Sequence, residues 1–200
     1  MRNALLTVLG IVDFLANLPY IVDTYKGKTK PNIASWSTLT LINALTAGAG
    51  FAAGNAFNTA ILGVSYFVGS SVIFGIAVYK GTRSYTRFDI IFQVLAVGGT
   101  ILWLLMRNPD IALATVIIVG ELAAVPMYRH AYQYPDEETW STFLVAALTA
   151  VGALLLATNI SFASVAVPVS LVVGNGFLTG IILIRRSGKA VKVKRTEHII

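Results

Sequence analysis

The sequence predicts an all-α integral membrane protein. Seven transmembrane helices form two parallel three-helix-bundle repeats joined by a linker helix (3+1+3), with the N-terminus outside and the C-terminus cytoplasmic. Three observations carry this. The 200 residues are 56% hydrophobic and only 12% charged, with a mean hydropathy of +0.75, whereas a soluble domain is roughly 45–50% apolar and about 25% charged. Apolar runs of membrane-crossing length recur along the whole chain. Two stretches of sequence also repeat one another, with one unmatched helix between them.

A helix needs about 20 apolar residues to cross a bilayer, so the chain has room for about seven crossings and little else. The runs, bounded by charge, Gly, Pro or Asn, are 3–22, 35–54, 57–79, 88–106, 111–131, 139–157 and 162–184. Barrel strands would alternate lipid-facing and lumen-facing residues, and the run beginning at Ile111 shows no such alternation. The first span lacks a strong basic leader and a small-x-small cleavage site and holds Asp13, Asn17 and Pro19, so it is read as a structural helix, not a signal peptide. Residues 1–79 form the first repeat and 80–110 the linker helix with its flanks. Residues 111–184 form the second repeat and 185–200 a basic cytoplasmic tail.

Orientation follows from Lys and Arg, which gather on cytoplasmic flanks. Lys26, Lys28, Lys30, Lys80, Arg83, Arg87, Arg129, Arg185, Arg186, Lys189, Lys192, Lys194 and Arg195 fall on one side. Only Arg2 and Arg107 fall on the other, so the split is thirteen to two. The tail from Arg185 to Arg195 reads as an anchor for anionic headgroups, not as a nucleic-acid site. With no cysteine there is no disulfide framework or thiol nucleophile, and His130 and His198 alone do not suggest a metal site.

The repeat is legible residue by residue. Leu18-Pro19-Tyr20, Tyr25 and Trp36-Ser37-Thr38-Leu39 match Val125-Pro126-Met127, Tyr132 and Trp140-Ser141-Thr142-Phe143, with six residues from Pro to Tyr in both copies. Gly48-Ala49 matches Gly152-Ala153. At an offset of 105, Val64-Ser65, Gly69 and Gly75-Ile76 match Val169-Ser170, Gly174 and Gly180-Ile181. One odd helix between two three-helix units lets both copies insert in the same direction, so the repeats are related by an axis along the membrane normal.

This arrangement, with a Pro near the cytoplasmic end of the first helix of each unit and a loop leading to the second, resembles the PQ-loop superfamily. That group includes SWEET sugar transporters, cystinosin-like proton-coupled exporters and the KDEL receptor. Tyr20 and Met127 stand where the family carries Gln after Pro, and Pro168 is followed by Val169 and Ser170, not the SWEET asparagine. The resemblance implies that Pro19 and Pro126 act as hinges between inward-open and outward-open states; a static kink is the alternative.

An acid inside a bilayer costs several kcal/mol and is a functional candidate by default. Asp13 and Glu121 lie midway along the first and fifth spans, with no Lys or Arg deep in any span to neutralise them. They are candidates for proton coupling or for gripping a cationic group of a substrate, against permanently protonated carboxyls bonded to Asn17 or Asn43. Tyr20 and Tyr128 each follow an acid by seven residues, a spacing that returns to one helical face. Asn17, Asn43, Ser70 and Asn175, with Tyr20 and Tyr128, are candidates for a substrate path. Asn58, Gln93 and Thr179 share that candidacy, and helix-to-helix bonding is the alternative for the neutral polar groups. Trp36, Trp140, Tyr25 and Tyr132 read as interfacial anchors. The spacings Gly50 to Gly54 and Gly176 to Gly180 permit close helix approach.

The first cytoplasmic loop carries Lys26, Lys28 and Lys30, and the matching segment of the second repeat carries Asp136, Glu137 and Glu138. Such loops could latch, and exchanging both sets of charges should then be tolerated better than changing one.

The function these features suggest is a small-solute transporter working by alternating access, compatible with proton coupling. A non-transporting membrane receptor or scaffold of the same architecture is the alternative. A retinal protein needs a lysine that 162–184 lacks. Neither His-Glu-x-x-His nor Gly-x-Ser-x-Gly occurs, so no enzyme, metal or cofactor is expected. The expected partners are a small-molecule solute and the lipid bilayer, with a homo-oligomer left open and no nucleic acid. The expected location is a bacterial cytoplasmic (inner) membrane.

Overall fold

The computed structural model of the protein describes residues 1–52, 57–80, 86–105 and 109–197. Gly54, Arg83, Arg107 and His198 lie outside the described residues, as do the side chains of Lys189, Lys192, Lys194 and Arg195. Among the described residues the fold is all-helical: α1 Arg2–Ala16, α2 Leu18–Tyr25, α3 Ile33–Ala52, α4 Phe57–Lys80, α5 Arg87–Leu105, α6 Pro109–Gln133, α7 Trp140–Leu155 and α8 Phe162–Glu197, with a 3-10 turn at Pro135–Glu137. Helices satisfy every backbone group within one segment, which an apolar surrounding demands. Hydroxyls inside them fold back on their own backbone: Thr38 on Ala34, Thr46 on Ile42 and Thr179 on Asn175 donate to carbonyls four residues earlier.

Among the described residues three stretches are long and apolar enough to cross a membrane, Arg2–Tyr25, Phe57–Lys80 and Phe162–Gly188. The exterior is inverted relative to a soluble protein. Val8 (53%), Val94 (64%), Ile118 (62%) and Val173 (64%) are exposed, whereas Asp13, Thr59 and Thr149 are buried. That distribution suits a surrounding of lipid.

Two helix boundaries differ from the sequence reading. The first span is two helices: Pro19 has no N–H to donate, and α1 ends at Ala16 with α2 beginning at Leu18. Pro126, its counterpart, sits inside an unbroken α6. The last helix, α8, runs on past the expected span through Glu197.

Packing follows a simple order. Helix α4 lies against both α1 and α3, and α8 against both α6 and α7; across the middle, α1 meets α7 and α3 meets α6, while α5 lies on α6 and α3. Helices α3 and α4 approach closely. A Cβ on Gly63 would lie 2.5 Å from the Ala47 nitrogen, and one on Gly50 would lie 2.6 Å from the Ala60 nitrogen. Gly176 and Gly180 have nothing within 4 Å of an added Cβ, so that spacing forms no helix contact here.

The basic residues collect at one end. Lys80 stands over the Tyr25 ring, Arg129 over Phe88 and Arg185 over Tyr132, and Lys30 meets Glu137. Arg2 lies at the other end, bonded to Thr158.

Candidate functional site

A cavity of about 120 Å³ lies at the centre, walled by α1, α3 and α4 on one side and α6, α7 and α8 on the other. At about 10–15 Å³ per water, it holds on the order of ten waters or one small solute. Of the residues singled out from sequence, Asp13, Asn17, Asn43, Ser70, Glu121, Tyr128 and Asn175 all line it. No Lys, Arg or His does so among the described residues.

The two acids are held differently. Asp13 is 1% exposed. Its Oδ2 accepts a bond from Ser65 on α4 at 2.7 Å and its Oδ1 one from Thr149 on α7 at 2.9 Å. These hydroxyls, and not Asn17 or Asn43, are its partners. Asn17 instead donates to the Asp13 carbonyl at 2.9 Å, and Thr142 of α7 donates to the Ala16 carbonyl at 2.8 Å, beside the helix break. Glu121 is only partly buried. Its Oε2 accepts the Tyr128 hydroxyl at 2.9 Å, and Oε1 receives no bond from the described residues.

Spacing by seven residues therefore joins Glu121 to Tyr128 but not Asp13 to Tyr20. The break at Asn17 turns Tyr20 away, and it is fully buried below the cavity with its hydroxyl donating to Glu138 Oε2 at 3.0 Å. Pro19 and Pro126 do not line the cavity.

Two glycines at corresponding positions of α4 and α8 make room for these groups. A Cβ on Gly69 would fall 2.9 Å from the Asn17 amide. One on Gly174 would fall 3.0 Å from both Glu121 Oε1 and the Tyr128 hydroxyl.

Among the neutral polar groups, Asn175 donates to the Tyr66 hydroxyl at 3.1 Å and Asn43 to Ser70 at 3.3 Å, both at the cavity wall. Asn58 donates to the Ser164 carbonyl, and Gln93 ties α5 to Ser37; these two join helices. Tyr66, Ser65 and Thr149 were not singled out from sequence. Ser65 could have been found, because the repeat pairs it with Ser170, which lines the cavity.

At the basic end residues from both sides meet. Lys30 Nζ lies 2.6 Å from Glu137, the hydroxyls of Thr29 and Thr139 are 2.8 Å apart, and the Lys30 amide donates to the Glu137 carbonyl at 3.2 Å. Of the three acids read as latch residues, Glu138 is not a surface partner for lysine. It is 2% exposed, receives His130 Nδ1 at 2.9 Å as well as Tyr20, and its carbonyl accepts Arg186 at 2.6 Å. Burial pushes its carboxyl up from the ordinary 4.5, and the bond and charge of His130 draw it partly back. Trp36 is likewise no interfacial anchor. It is buried, lines the cavity, and donates from Nε1 to the Tyr20 hydroxyl at 3.3 Å. Tyr25 and Tyr132 remain exposed.

No group of three or more potential metal ligands occurs among the described residues. No family model, curated protein or solved structure matches the chain.

Proposed function

We propose that the protein is a small-solute transporter of a bacterial cytoplasmic membrane, a PQ-loop-like chain of seven spans. It works by alternating access between two pseudo-symmetric three-helix bundles, with its C-terminus in the cytoplasm. The observation that carries this reading is the central cavity. It is walled by both helix groups, which contacts at the basic end join to one another.

The packing order supports it. A two-fold axis along the normal that exchanges the first three spans for the last three turns the α1–α7 contact into the α6–α3 contact. It also turns α4 between α1 and α3 into α8 between α6 and α7, and both pairs are present. The excess of Lys and Arg at the closed end favours that end as the cytoplasmic one.

Asp13 and Glu121 are the groups on which proton coupling rests in this reading. The Asp13–Thr149 bond spans the two halves, so their relative motion must break or re-form it.

The test is solute uptake into proteoliposomes, with and without an imposed pH gradient, from a panel of sugars, amino acids, vitamins, nucleosides and amines. Uptake that is abolished in Glu121→Gln and loses its gradient dependence in Asp13→Asn is the expected result. Flux unchanged by both substitutions removes the acids from the mechanism. Binding with no flux for any solute returns the chain to the receptor or scaffold reading.

A further inference from the structure

Resting on the transporter reading of the cavity, we propose that its solute is a small organic monocation, an amine without an acidic group and of about ten non-hydrogen atoms or fewer. The ammonium would sit against Glu121 and the body against the aromatic wall.

The argument begins with what each polar group has left to give. Asp13 has both carboxylate oxygens occupied by hydroxyls from other helices and is almost fully buried, so it joins α1, α4 and α7. Glu121 also lines the cavity, is only partly buried, and has one oxygen engaged by Tyr128. Its other oxygen lies next to Gly174, where even a methyl group would crowd it at 3.0 Å. A charge-assisted bond to a donor cation is roughly twice as strong as a neutral one. Glu121 is the cavity acid that can still accept one.

The rest of the wall sharpens the choice. Trp36, Tyr66, Tyr128 and Phe143 line the cavity, and aromatic faces attract ammonium groups within about 6 Å. Neither lysine, arginine nor histidine lines it among the described residues, so a carboxylate or phosphate on the solute would enter a low-dielectric space beside an acid with no cation to meet it. This disfavours zwitterionic amino acids as well as anions. The size limit comes from the volume, about 120 Å³, which is on the order of ten waters.

The experiment uses four probes of similar size with one aromatic ring: 2-phenylethylamine, 2-phenylethanol, phenylacetate and phenylglycine. Each is titrated into the full-length protein in lipid nanodiscs and followed by tryptophan fluorescence and thermal shift. The amine is expected to bind at least tenfold more tightly than the other three, and Glu121→Gln is expected to erase that preference. Asp13→Asn should lower the melting temperature yet keep the preference for the amine, which separates a folding defect from a binding defect. Equal or tighter binding of the alcohol, the acid or the amino acid overturns the proposal, as does an amine preference that survives Glu121→Gln or a failure of all four to bind. Flux distinguishes the two readings. Amine binding without amine transport upholds the site and sinks the transporter, whereas transport of a neutral or anionic solute upholds the transporter and sinks the cation.

Discussion

Closure of the basic end can be made covalent. Thr29 and Thr139 are both buried and their hydroxyl oxygens are 2.8 Å apart, across 110 residues of chain. A disulfide needs sulfurs about 2.05 Å apart, and hydroxyl oxygens 2.8 Å apart place the two side chains in reach of one another, so Thr29→Cys with Thr139→Cys should oxidise. The chain has no cysteine of its own to compete. Two of the contacts now holding that end are modest. An exposed pair such as Lys30–Glu137 is worth about 0–1 kcal/mol, and a hydroxyl pair about 0.5–1.5 kcal/mol. Thermal fluctuation or ligand exchange can break bonds of that size, and neither breaks a disulfide. Closing a loop of this length removes about 4.7 kcal/mol of unfolded-chain freedom, so the oxidised protein should also melt higher. Solute flux in proteoliposomes is then compared before and after reduction. The expected result is no flux when oxidised and full flux when reduced. A fully cross-linked protein, verified by gel mobility, that transports at the reduced rate would refute the idea that this end opens in the cycle.

Three further substitutions test the packing and the buried acid. Gly63→Ala places a methyl 2.5 Å from the Ala47 backbone and should destabilise by about 1–3 kcal/mol or more. Gly48→Ala, on α3 with nothing within 4 Å, should stabilise by up to about 1 kcal/mol through helix propensity; equal melting temperatures for the pair would contradict the close approach of α3 and α4. Because the folded state raises the Glu138 carboxyl above its ordinary 4.5, the stability that a neutral Glu138 contributes is complete below about that pH and is lost as pH climbs through the raised value. Glu138→Gln leaves His130, Glu137, Tyr20 and Arg186 in place and should flatten that decline in a melting series from pH 4 to 8; an unchanged slope would assign the decline to other groups.

What the sequence could and could not show divides along physical lines. Contacts set by local spacing were readable: seven residues join Glu121 to Tyr128 because that is two helical turns. The opposite charges of the two loops likewise anticipated the meeting of Lys30 and Glu137. Contacts set by which helix stands next to which were not. Asp13 finds Ser65 and Thr149 at separations of 52 and 136 residues, and no periodicity encodes those partners. Trp36 at a helix start has the composition of a membrane-interface anchor, and only the turn of α2, which brings Tyr20 beneath it, makes it an interior residue. Glu138 looked like its neighbour Glu137 because burial of an acid three residues past Tyr134-Pro135 depends on His130 and Arg186 arriving from other elements.

The line from Trp36 through Tyr20 to Glu138 and His130 has a chemical polarity. An indole nitrogen is a donor only and cannot accept a proton, and here it donates to Tyr20, which in turn donates to Glu138. Protons therefore cannot be relayed along this line from the cavity to the closed end, because its first member has no lone pair to receive one. What it can carry is position: any shift of the Trp36 ring would pull on the hydroxyl beneath it, and through it on the acid that His130 also holds.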